Sequence, residues 1–141
     1  MLRKSLLMAF GVAVLSTAAQ AEMLKFTAKL DGASETPPND SRGAGHADLS
    51  LDTDAHMLKW VVDYSGLTGP ATMAHLHGPA PVGKAAGVLV PLTPPLGSPI
   101  SGQASVTDAQ IGDIRAGSTY VNVHTAAHPA GEIRGQVVPA P

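Results

Sequence analysis

The sequence predicts an all-β fold, an antiparallel sandwich or barrel carrying one short helix. Three observations predict it. Short runs alternate apolar and polar residues, the period of a half-buried strand. Between those runs fall clusters rich in Gly and Pro, 15 and 12 of the 141 residues, which mark turns. Only one stretch, after Thr107, changes to helical spacing.

The first 21 residues stand apart from the fold. Arg3 and Lys4 form a basic start, Leu6 to Leu15 an apolar run, and Ala19-Gln20-Ala21 a small-x-small cleavage site. The run is short of the roughly 20 residues that span a bilayer, and no cysteine follows to take a lipid. Residues 1–21 are therefore expected to be a signal peptide cleaved after Ala21. Residues 22–141 should form one exported domain, periplasmic or secreted.

Leu24, Phe26, Ala28 and Leu30 alternate with Lys25, Thr27 and Lys29 as the first strand. Asp31 to Gly45 reads as a long loop stiffened by Pro37-Pro38. Ala47, Leu49 and Leu51 make the second strand, and Asp52-Thr53-Asp54 turns the chain. Leu58, Trp60, Val62 and Tyr64 share one face of the third. After the Gly66 to Gly69 turn comes a strand holding His75 and His77, closed by Gly78-Pro79. Gly87 to Leu92 and Ile100 to Val106 are two more strands, joined by a proline-rich loop. Thr107 is a good N-cap for a helix over Asp108 to Ala116, with Ile111 and Ile114 on its inner side and Gly117 ending it. Tyr120 to Thr125 turns Val121 and Val123 inward, and Ile133 to Val137 is the final strand. Seven or eight strands with one helix point to a sandwich or barrel.

Composition excludes several function classes. Removing Arg3 and Lys4 from the nine basic residues leaves seven against eleven acidic ones, a net charge of −4 with histidine neutral. There is no basic stripe to bind nucleic acid. No later segment is apolar enough to span a membrane. With no cysteine, packing alone must hold an exported domain together. A Gly-x-Ser-x-Gly elbow and phosphate-binding glycine loops are missing too.

The histidines are the remaining reactive set. His75 and His77, at i and i+2 on a strand, point the same way and form a bidentate site for copper or zinc. Tyr120, Asn122 and His124 share the face opposite Val121 and Val123, and His124 ends its strand at a rim. His128 lies in the following turn. Three histidines with an open fourth position suit a reactive copper or zinc ion. Met73 shares the His75 face and reads either as an axial ligand or as a packing residue. His46 and His56 read as surface residues.

The motifs Leu30-Asp31-Gly32-Ala33-Ser34-Glu35-Thr36-Pro37-Pro38, Ala74-His75-Leu76-His77-Gly78, Tyr120-Val121-Asn122-Val123-His124-Thr125 and Pro129-Ala130-Gly131-Glu132-Ile133-Arg134-Gly135-Gln136 resemble the CHRD (chordin-type) domain family, across nearly the whole mature chain. The histidines also bear a more distant similarity to copper/zinc superoxide dismutases, Greek-key sandwiches whose copper is held by a His-x-His strand and a later histidine. That similarity implies a superoxide-dismutase-like or immunoglobulin-like Greek-key architecture. It implies one copper ion on His75, His77 and His124, and Arg134 as the catalytic cation that draws in superoxide or another small anion. Residues 78 to 123 hold no histidine, so no zinc subsite is expected. Glu132 and Asn122 would orient an imidazole.

Three readings follow. The first is an exported enzyme disproportionating superoxide at mononuclear copper. The second is a copper carrier or store, loaded by a copper donor protein and closed by His128 or Met73. The third is a structural or interaction module that displays loops 31–45 and 91–102 to a protein partner. There His75 and His77 merely hydrogen-bond those loops, and Arg134 pairs with Glu132 or Asp31 at the surface.

Overall fold

A computed structural model of the chain describes residues 22–141, so the expected signal peptide lies outside the described residues. Alternation of apolar and polar side chains builds β1 (Met23–Asp31), β2 (Ala44–Asp52) and β3 (Met57–Ser65). They continue with β4 (Ala71–His77), β5 (Val88–Pro91), β6 (Ile100–Ser105), α1 (Asp108–Arg115), β7 (Tyr120–Thr125), β8 (Ile133–Gln136) and the two-residue β9 (Val138–Pro139). The described residues thus hold nine strands, one more than the apolar alternation reveals. β9 is too short to show a period.

All strands join one antiparallel sheet in the order β5-β4-β7-β8-β1-β2-β3-β6, with β9 added to β1. β3 with β6, β4 with β7 and β1 with β8 are neighbours that are not consecutive in the chain, so the connections cross over as in a Greek key. Long ladders run from Met23↔Asp52 to Asp31↔Ala44 and from Ala44↔Ser65 to Asp52↔Met57. β1 meets β8 at Asp31↔Arg134, and Gly135 lets the strands approach because a Cβ there would strike the Lys29 backbone.

One core takes side chains from eight strands and the helix, among them Phe26, Leu49, Trp60, Leu76, Val90, Ile100, Val121 and Ile133. A flat sheet cannot bring these together. The sheet therefore curls into a nearly closed barrel whose open edges are β5 and β6. Each fully buried leucine (Leu30, Leu51, Leu58, Leu76) contributes about 1.5–3 kcal/mol through its burial. The helix runs as expected, with Thr107 and Gln110 forming a reciprocal capping box and Ala116 as C-cap. Ile111 and Ile114 seal the core beneath it. No helix among the described residues is long and apolar enough to cross a membrane.

Candidate metal centre

β4 and β7 pair antiparallel with Met73 opposite His124, His75 opposite Asn122 and His77 opposite Tyr120. Ala74, Leu76, Val121 and Val123 turn into the core, so the polar partners share the outer face. The loops 32–43, 78–87 and 126–131 fold back over that face. As a result every residue of β7 is buried, inward and outward alike.

His75, His77 and His124 come together there, each offering a nitrogen within 4.8 Å of the other two. Their ring centroids lie 5.0 Å (His75 to His124), 5.2 Å (His75 to His77) and 6.1 Å (His77 to His124) apart. Hydrogen bonds select which nitrogen each presents. His77 Nδ1 lies 3.0 Å from the Ala86 carbonyl, and His124 Nδ1 lies 3.0 Å from the Pro129 carbonyl. A carbonyl only accepts, so both Nδ1 atoms carry the proton and both Nε2 atoms keep a lone pair. His75 turns Nδ1 towards His124 Nε2 at 3.1 Å. His77 Nε2 is buried with no hydrogen-bond partner. His77 Nε2 and His124 Nε2 thus offer lone pairs, while His75 Nδ1–H donates to His124 Nε2 and would ligate once its proton moved to the other ring nitrogen.

An orphaned buried imidazole nitrogen costs free energy unless something takes its lone pair. Burial pushes all three histidines below the ordinary value of 6.5, and for His75 the neighbouring His124 and His77 add to it. Neutral imidazoles with fixed tautomers are the form that ligates a metal, and backbone carbonyls behind the ring are its usual support. The site fits a copper or zinc ion.

The other candidates are placed differently. The described three-histidine group does not include His128, whose backbone closes the turn after β7 through Thr125. Met73 is 47% exposed, so it is not a packing residue, and it stands directly opposite His124. His46 and His56 lie at the surface beside Asp48 and Asp108.

Glu132 and Asn122 do not orient an imidazole. Glu132 is buried and accepts four hydrogen bonds, from Ser41 Oγ (2.6 Å), Thr68 N (2.8 Å), Thr68 Oγ1 (2.8 Å) and Thr125 Oγ1 (2.6 Å). Burial works to raise its pKa, but these donors outweigh that and hold it at about 2. Asn122 instead donates Nδ2 to Glu35 Oε1.

Arg134 is not a surface ion pair. Its guanidinium stacks 3.5 Å from the centre of the Tyr120 ring. Tyr120 in turn stacks on His77, centroids 4.9 Å apart and planes 4° from parallel. Because β4 and β8 flank β7 on opposite sides, the phenol stands between Arg134 and the histidines. Sequence reasoning placed Tyr120 on this face without giving it a role, and it missed Glu35 as part of the region. Glu35 sits in a Gly/Pro-rich loop and reads as a solvated carboxylate, yet it is 7% exposed and burial lifts its pKa to about 7.

Residues 26–137 match the CHRD domain. The chain is 34% identical over 122 residues to chordin of Xenopus laevis, covering 80% of this chain and 13% of that protein. It thus spans about an eighth of the length of that relative. No solved structure matches.

Proposed function

The chain belongs to the CHRD domain family, and from that footing we propose that it is an exported protein holding one copper ion at His75, His77 and His124, where superoxide is disproportionated. The observation that carries this reading is the convergence of three neutral imidazole nitrogens on one point, one of them buried and otherwise unpartnered. Imidazoles suit both copper and zinc, but affinity for Cu(II) exceeds that for Zn(II). Bound copper supplies one-electron chemistry, oxidising one superoxide to dioxygen and reducing the next, with two protons, to hydrogen peroxide.

The protein's own part is to hold and to attract. Ala86 and Pro129 fix the rings of His77 and His124, so little reorganisation is needed when the oxidation state changes. Three ligands leave a position for the anion. Arg134 acts through its field across Tyr120, as the cation that offsets a net negative chain. The basic-apolar leader at residues 1–21 supports export, where a copper donor protein would load the site.

Copper carriage without turnover is the second reading, and the placement of Arg134 favours it. The guanidinium is 3% exposed and lies behind the phenol, not at the open position. Metal analysis and superoxide pulse radiolysis on copper-loaded protein separate the two. We expect one copper per chain, lost in the His75→Ala/His77→Ala double variant, with turnover above free copper. We also expect Arg134→Ala to keep copper while losing on the order of tenfold in rate, with a flatter salt dependence. Unchanged copper content in the double variant ends the metal reading; copper bound without turnover leaves carriage.

A further inference from the structure

Arg134 is a cation withdrawn from water, with no carboxylate in ion-pair contact among the described residues. It is 3% exposed, and none of the ion pairs among the described residues includes it. Buried charges are ordinarily paired, because desolvation costs several kcal/mol when they are not. Two of its N–H groups are engaged, Nη1 with Thr36 Oγ1 (3.0 Å) and Nη2 with the Lys84 carbonyl (2.6 Å). Both of those partners are neutral. Beyond them Arg134 lines a cavity of about 380 Å³ between loops 32–43 and 78–87, together with Ala33, Glu35, Thr36, Pro38 and Val82. That volume lies at the small end of ligand pockets.

We propose that this cavity binds a small organic monocarboxylate, which pairs with Arg134 and accepts a hydrogen bond from Glu35 in its acid form. The guanidinium fork matches a carboxylate. Ala33, Pro38 and Val82 give apolar wall that suits a short hydrocarbon body better than a bare inorganic anion. Asn122 from β7 anchors Oε1 of Glu35, leaving Oε2 to carry the proton. Gly131 packs close beside Oε1 and Asn122, where a Cβ would collide with both. The charged group facing Glu35 is Arg134 from β8, and the 78–87 loop contributes uncharged Val82 and Gly83 to the cavity. With Glu35 at about 7, the acid form gives way to the carboxylate near neutrality. Ionised Glu35 repels the ligand and screens Arg134; the acid form donates to it. Binding therefore takes up a proton above pH 7, and affinity falls about tenfold from pH 6 to pH 8. None of this depends on a metal at the histidines.

The test is a titration of isotope-labelled, metal-free protein, followed by backbone amide shifts, at pH 6 and pH 8. Acetate, propionate and lactate are the probes, with chloride and phosphate as controls. Saturable shifts at Thr36, Gly83 and Gly135 with at least one monocarboxylate, about tenfold weaker at pH 8, support the site. Arg134→Gln should abolish them, and Glu35→Gln should bind equally at both pH values. Should Arg134→Gln not fold, Arg134→Lys keeps the charge without the fork and should bind severalfold more weakly. Equal affinity for chloride and phosphate, no saturable shift with any monocarboxylate, or undiminished binding in the arginine variants overturns the proposal. A pH dependence that survives in Glu35→Gln removes the carboxyl from it.

Discussion

At the residue scale, two buried carboxyls of this chain respond to acid in opposite senses. Glu132 is held at about 2 against an ordinary 4.5, so between those values the unfolded chain binds more protons than the folded one. Its stabilising contribution is complete above about 4.5 and is lost as pH falls through about 2. Glu35 is lifted from 4.5 to about 7, so the folded chain binds more protons in that interval. Its contribution is fully present below about 4.5 and is lost as pH rises through about 7. Urea unfolding between pH 2 and pH 8 should show a decline on each side, the upper one absent in Glu35→Gln and the lower one in Glu132→Gln. A Glu35→Gln variant that keeps the full decline towards neutral pH would contradict this assignment. Gly131 supports the same region, with φ of +128° and no room for a Cβ beside Asn122 and Glu35. Gly131→Ala should cost on the order of 1–3 kcal/mol in the same unfolding measurement. The histidines were legible in the sequence because i and i+2 on a strand fix their side. Glu35 was not, because a local period carries no information about which loop closes over which strand.

At the element scale, β7 shows why the outer face differs from a solvated one. Alternation correctly puts Tyr120, Asn122 and His124 opposite Val121 and Val123, and a half-buried strand would leave that face wet. Here it is closed by partners far away in sequence: Ala86 accepts from the Tyr120 hydroxyl 34 residues away, and Thr36 accepts from Arg134 across 98 residues. Such contacts are set by the crossover order of the sheet, which strand patterning leaves open. The consequence is that Tyr120 holds His77 in two ways, by stacking on its ring and by donating to the Ala86 carbonyl that His77 also uses. These two roles can be separated. Tyr120→Phe keeps the stack, so copper affinity should stay within a few-fold of wild type in a chelator competition. Tyr120→Leu removes the stack on both His77 and Arg134, and affinity should fall on the order of tenfold, as when other groups behind a ligand are removed. Equal affinities in wild type and both variants would leave Tyr120 with a packing role alone.

At the scale of the whole molecule, the candidate site draws on neighbouring strands of a barrel that has no disulfide. β4 supplies two of the nitrogens and β7 the third, while the loops that fix them come from between β4 and β5 and between β7 and β8. Those elements also share one core, so the site exists only when the barrel is folded. A ligand that binds the folded state alone stabilises it by RT ln(1 + [L]/Kd), about 2.7 kcal/mol at a hundredfold excess over Kd. For a domain of this size that shift amounts to roughly ten degrees in Tm. Histidines elsewhere in the unfolded chain would bind copper weakly and reduce the gain, so the comparison has to be made between variants. His75 and His77 are half-buried and lie outside the apolar core, so their removal should leave the metal-free Tm near that of wild type. The double variant should then lose the copper-induced rise, whereas His128→Ala should keep it, since His128 lies outside the three-histidine group. Calorimetric scans with and without copper decide the matter. A rise of the same size in wild type and in the double variant would mean that copper stabilises the barrel from some other place.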